Sequence, residues 1–131
     1  MIALAIAGAG ALGALSRWLL DGIVTRRTTR TFPNPKLRVG PYPHGTLVIN
    51  VLGSLALGLL TGWVTHDGAS SRLLSIAGVG FCGGFTTWSS FAWESVRLYR
   101  PGQRPVAVAH VAIHLAACVG AAAAGLMATG A

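Results

Sequence analysis

Four stretches of this chain carry almost no formal charge: residues 1–16, running on past Arg17 to Leu20; residues 39–66; residues 73–93; and residues 105–131. Polar and basic residues collect in the breaks between them, in "TRRTTRTFPNPKLR", "HDGASSR" and "RPGQR". Each apolar stretch has about the length a helix needs to cross the hydrocarbon core, roughly 20 residues. None shows the strict alternation of a membrane β-strand. The pattern predicts an all-α membrane protein with four transmembrane helices, at about residues 2–24, 44–65, 72–98 and 105–129, in one domain over residues 1–131. The first stretch reads as a membrane helix and not as a signal peptide. It has no basic n-region, and Gly8, Gly10 and Gly13 lead into Arg17 without a clean cleavage site.

Composition agrees with the pattern, at 53% hydrophobic and 10% charged residues. The net charge of +7 sits beside the predicted helix ends, so it reads as juxtamembrane charge and excludes a nucleic-acid-binding role. Cys82 and Cys118 both fall inside predicted helices, as small buried thiols without a disulfide or CxxC framework. No nucleophile, base and orienting acid converge on any readable spacing, which excludes an enzyme.

Helix two places Thr46, Asn50, Ser54, Gly58 and Gly62 on one stripe, four residues apart, polar at one end and smooth at the other. In lipid, small residues let helices approach closely, so this stripe is predicted to face protein or water, and the chain to oligomerise. Asn50 reads either as an anion donor, with two N–H groups to replace hydration, or as helix-to-helix glue. The stretch "GGFTTWSSF", residues 83–91, places two glycines and four hydroxyl side chains in the middle of helix three. A break there is chemically supportable, because hydroxyls bond freed backbone groups and free helix ends attract ions. A packed kink is the other reading. Trp88 and Phe91 share a face and offer positive ring edges to an anion.

These residues resemble the small fluoride channels called Fluc or CrcB. The family's helix-three signature is approximately GG(L/F)TTFSTF, and Gly83, Gly84, Phe85, Thr86, Thr87, Ser89 and Phe91 match it. "GTLVINVLG", residues 45–53, is similar to the family's GTLxVNxxG block, with Asn50 at its asparagine. Arg17 in "GALGALSRW" and Glu94 after the aromatic motif match the family's charged positions near helix ends. The resemblance implies an antiparallel dimer in a bacterial inner membrane, passively exporting fluoride through two narrow pores. It also implies a structural sodium ion held by the backbone carbonyls of Gly83 and Thr86. Fluoride is expected to pass Thr46, Asn50, Thr87, Trp88, Ser90 and Phe91.

Two features depart from that family. Trp88 stands where a phenylalanine is usual, and helix four replaces a line of hydroxyls with His110, His114 and Cys118, spaced by four. That face reads as a substitute polar track, as a non-conducting face or, with a fourth ligand wanting, as a metal site. Basic residues also crowd one predicted side: Arg26, Arg27, Arg30, Lys36, Arg38, Arg97, Arg100 and Arg104, against Arg72 and Asp67 on the other. The positive-inside rule then predicts one orientation, with both termini outside the cytoplasm, and a partner homologue of opposite orientation. The alternatives are a non-conducting partner subunit or a small multidrug transporter. The latter needs a membrane carboxylate, and Asp21 reads more simply as an ion-pair partner of Arg17, four residues before it.

Overall fold

The computed structural model describes residues 1–31, 43–66 and 68–129. The connection carrying Lys36 and Arg38 lies outside the described residues, as do Asp67 and the side chain of Arg30. The architecture is all helical: α1 (Ile2–Thr31), α2 (His44–His66), α3 (residues 71–85), α4 (Trp88–Leu98) and α5 (Arg104–Ala128). Helix α1 continues past residue 24, where the apolar run predicts its end, because a helix closes its own backbone hydrogen bonds and does not need lipid to continue. Ser70 starts α3 by accepting a hydrogen bond from the Arg72 N–H. Within α3 the turns of Leu74–Cys82 are π-helical, with hydrogen bonds reaching one residue further back than in an α-helix.

Among the described residues, three helices are long and apolar enough to cross a membrane: Ile2–Arg27, His44–His66 and Arg104–Ala128. The fourth apolar stretch is shared between α3 and α4, and neither piece alone has the roughly 20 residues of a span. Thr86 and Thr87, both with extended backbone, lie between the two pieces.

Close approaches fix the directions. Gly80 meets Ile6, Gly84 meets the Gly10 carbonyl and Gly13 meets Phe81, so α1 and α3 run parallel. Gly58 meets the Ala122 carbonyl while Asn50 bonds His114, so α2 and α5 also run parallel. Gly45 meets Asp21, and Gly53 meets Thr86, so these two pairs are antiparallel to each other. A β-carbon on Gly58 or Gly84 would strike backbone atoms, which explains glycine at both positions. The chain therefore threads up and down, and Arg26, Arg27, Arg97, Arg100 and Arg104 gather at one end of the bundle. At that end Gly102, with φ +82°, makes the turn from α4 to α5, and the Arg104 guanidinium lies 5.3 Å above the Tyr99 ring.

The tightly buried side chains are few, and Ile49 and His110 are the largest of them. Leu12, Trp18, Val79, Val108, Leu115 and Val119 are exposed on the outside of the bundle. That surface suits lipid or another subunit.

Candidate functional site

Asn50 lies buried on α2 opposite the two extended threonines. Its Oδ1 accepts the Thr87 backbone N–H at 2.8 Å, and its Nδ2 donates to the Thr87 carbonyl at 3.0 Å. One side chain thus satisfies both backbone groups of a residue outside any helix, inside an apolar bundle where each unpaired group costs free energy. The pairing also assigns the amide, since a flipped Asn50 would set oxygen against oxygen and nitrogen against nitrogen. The remaining Nδ2 hydrogen faces His114 Nε2 at 3.0 Å.

The threonines complete the local structure. Thr86 directs its N–H and its hydroxyl to the Cys82 carbonyl, both at 2.9 Å, which closes α3. Thr87 Oγ1 accepts the Ser90 N–H at 3.2 Å and donates to Ser90 Oγ at 3.1 Å, which starts α4. An extended Thr87 is what allows both arrangements at once.

Phe91 is the centre of a ring cluster. Its centroid lies 4.5 Å from that of His114, 5.5 Å from His110 and 5.2 Å from Trp88. The two histidine rings are 5.2 Å apart, edge to face, and both are buried. Asn50, Thr86, Thr87, Trp88, Phe91 and His114 line an open, mainly apolar cavity of about 470 Å³. Gly83 and Cys118 lie on its wall, with Gly53, Ser54, Cys82, Val111 and Leu115. Of this last group the sequence pattern marked Ser54, on the helix-two stripe, and Cys82, as a buried thiol; Gly53, Val111 and Leu115 were not marked as wall residues, because small and apolar wall residues look like any lipid-facing or core residue. Among the described residues no three His, Cys, Asp or Glu side chains group as a metal site, so the histidine face with Cys118 does not form one.

Further along α2, buried Thr46 donates its hydroxyl to Glu94 Oε1 at 2.5 Å, joining two residues marked separately by the sequence. The expected ion pair between Arg17 and Asp21 is absent among the described residues. Asp21 Oδ1 accepts instead from the Thr25 hydroxyl at 3.3 Å, one turn further along α1. Arg17 is half-buried on the same helix.

For a cation held by Gly83 and Thr86, the donor chemistry fits. In a continuous α-helix the Thr87 N–H would bond the Gly83 carbonyl, but here it is given to Asn50. The Thr86 carbonyl leaves the helical direction because its ψ is 163°. Nothing lies within 4 Å of where a Gly83 β-carbon would be, so that side of the chain is open.

Long apolar helices with a buried polar cluster between them define an α-helical, multi-pass membrane protein. The model of the family described as CrcB-like protein, Camphor Resistance (CrcB), matches residues 4–126, and the chain belongs to this family. It is 42% identical over 120 residues to the fluoride-specific ion channel FluC 1 of Nocardia farcinica, covering 92% of this chain and 74% of that relative. It is likewise 42% identical over 121 residues to FluC 2 of Cutibacterium acnes, covering 92% and 85%. FluC of Methanopyrus kandleri is 45% identical over 98 residues, covering 73% and 65%. All three relatives are named as ion channels and none as an enzyme.

Proposed function

We propose that this chain is a subunit of a fluoride-selective channel in a bacterial inner membrane, passively exporting fluoride through narrow pores at a dimer interface. The observation that carries the reading is the Asn50 to Thr87 clasp beside the Phe91 ring cluster and its cavity, in a chain of the CrcB-like family. Residues 71–98 act as one discontinuous span, interrupted at Thr86 and Thr87. The anion passes Thr46, Asn50, Thr87, Trp88, Ser90, Phe91, His110 and His114. Rings edge-on to the path attract a small anion weakly enough to release it, and a narrow apolar wall rejects larger hydrated ions.

Two observations support pairing with a second subunit, which the family resemblance makes antiparallel. Trp88 is 78% exposed on the single subunit although it borders the cavity, so a second subunit is needed to enclose a path. Gly83 and Thr86 supply two carbonyls, fewer than a hard cation takes, and a two-fold partner doubles them. Held by the Gly83 and Thr86 carbonyls, a sodium ion would supply a fixed positive charge between the two interrupted spans. Fluoride efflux from proteoliposomes containing the purified chain tests the channel reading. Fluoride-specific efflux is the expected result, and transport of cationic drugs without fluoride efflux overturns it.

A second reading is favoured by the five arginines at one end of the bundle. Unbalanced flanks insert a subunit one way, and its antiparallel partner is then a homologous chain of opposite charge bias. Efflux that appears only on co-reconstitution with such a homologue selects this heterodimer over the homodimer.

A further inference from the structure

We propose that the hydrogen-bond donor this chain offers to the permeating anion is the Nδ1–H of His114, and that Asn50 acts as the positioning residue that sets its tautomer. The inference rests on the channel reading above and identifies the group that meets the anion. Its starting point is a count of hydrogens. Asn50 Nδ2 has two, one directed at the Thr87 carbonyl at 3.0 Å and the other at His114 Nε2 at 3.0 Å. Neither is left for a ligand. Because Thr87 fixes which end of the amide is nitrogen, Nε2 of His114 faces a donor and must be the bare, accepting nitrogen. A neutral imidazole with a bare Nε2 carries its hydrogen on Nδ1.

That Nδ1 is buried and has no hydrogen-bond partner among the described residues. His114 is 4% exposed and its ring lines the cavity with Asn50, Thr87 and Phe91, so an unsatisfied donor is buried on a residue that borders the proposed path. A buried, unpaired N–H is unfavourable until an acceptor arrives, which makes it a receptor for one. The acceptor that suits it is a small anion. Nδ1 is itself buried and the Phe91 ring packs against the imidazole with centroids 4.5 Å apart, so a visitor to Nδ1 must shed its water and remain compact. Reversing the tautomer would aim a lone pair at that position and repel an anion. The pairing with Asn50 holds the ring in the receptive form.

The test is solution or solid-state NMR of the full chain in lipid with 15N-labelled histidine, the His114 signals being assigned from the spectrum of His114→Phe. The expected result is a neutral His114 protonated at Nδ1, whose Nδ1 resonance moves on titration with sodium fluoride and stays in place with equal sodium chloride. Protonation at Nε2, or an Nδ1 resonance indifferent to fluoride, overturns the proposal; the latter result leaves water or an adventitious contact as the partner. Asn50→Asp supplies the spectroscopic check on positioning. Its carboxylate accepts from Nε2–H, so the hydrogen moves from Nδ1 to Nε2, which a merely structural role for Asn50 would not require.

Fluoride efflux gives an independent arm. His114→Phe keeps the ring and loses the donor, and its rate is expected to fall roughly tenfold or more. His114→Gln restores an acceptor toward Asn50 and a donor beyond it, so it recovers most of that loss. Equal rates for wild type and His114→Phe overturn the proposal while the channel reading stands. A wild type inactive both alone and when co-reconstituted with a homologue of opposite orientation overturns the channel reading, and the titration alone then decides the role of His114.

Discussion

Asn50 bonds three groups at once, which makes its replacement unlike an ordinary polar-to-apolar change. Asn50→Leu has about the right volume but strands the buried N–H and carbonyl of Thr87. The expected cost is about 2–4 kcal/mol, measured by reversible unfolding in mixed micelles. Thr87→Ala removes only the hydroxyl that caps α4, and is expected to cost about 1 kcal/mol. A larger loss for Thr87→Ala than for Asn50→Leu would refute the assignment of the clasp to the asparagine. Thr46→Val tests the second polar link: it removes the hydroxyl donor to Glu94 and is expected to cost about 1–2 kcal/mol in the same assay. Much at this scale was legible in advance, since a carboxamide at membrane depth always needs partners. Which partners was not legible. Spacing places Asn50 on the stripe of α2, but that its amide meets the backbone of Thr87 depends on the angle at which α4 leaves the extended threonines. The absent Arg17 to Asp21 ion pair has the same origin: spacing by four permits a contact, and the Thr25 hydroxyl, also four away from Asp21, takes it instead.

Among the elements, helix direction and packing are set by where side chains are missing. Gly58 of α2 lies on the Ala122 carbonyl of α5, so Gly58→Ala must drive two backbones apart. The expected destabilisation is about 1–3 kcal/mol. Gly8 has nothing within 4 Å of its would-be β-carbon, and Gly8→Ala is expected to be neutral or to stabilise by up to about 1 kcal/mol through helix propensity. Paired unfolding measurements check the contrast, and equal effects at the two glycines would remove the argument from close approach. The sequence stripe had already marked Gly58, because glycine recurring every four residues in an apolar helix has little other use. The π-helical turns of Leu74–Cys82 were invisible in it. A shift from i−4 to i−5 bonding changes no hydrophobic pattern over nine residues, and the fit of α3 against α1 through Gly10, Gly13, Gly80 and Gly84 can decide it only once both helices are in place.

For the whole molecule, the decisive quantity is how charge is divided between the two ends of the bundle. Parallel pairing of α1 with α3 and of α2 with α5 puts Arg26, Arg27, Arg97, Arg100 and Arg104 at the end formed by the α4 to α5 turn. Arg72, beside Ser71, belongs to the opposite end. The four apolar stretches and the basic clusters made this division readable from the chain alone, but the up-and-down threading had to be seen in helix contacts. Single cysteines at exposed Pro101 and exposed Ser71, in a chain whose cavity-wall Cys82 and Cys118 are replaced by alanine, mark the two ends. In intact cells a membrane-impermeant reagent is expected to modify Ser71→Cys and to spare Pro101→Cys, with the opposite pattern in inverted vesicles. Replacing Arg26, Arg27 and Arg100 with neutral residues should then bring both positions to comparable labelling from either side, since juxtamembrane lysines and arginines set orientation while the apolar helices do not. Comparable labelling of the unaltered chain from both sides would instead mean that one sequence inserts in both orientations, and the case for an obligatory homologous partner would fail, leaving the homodimer.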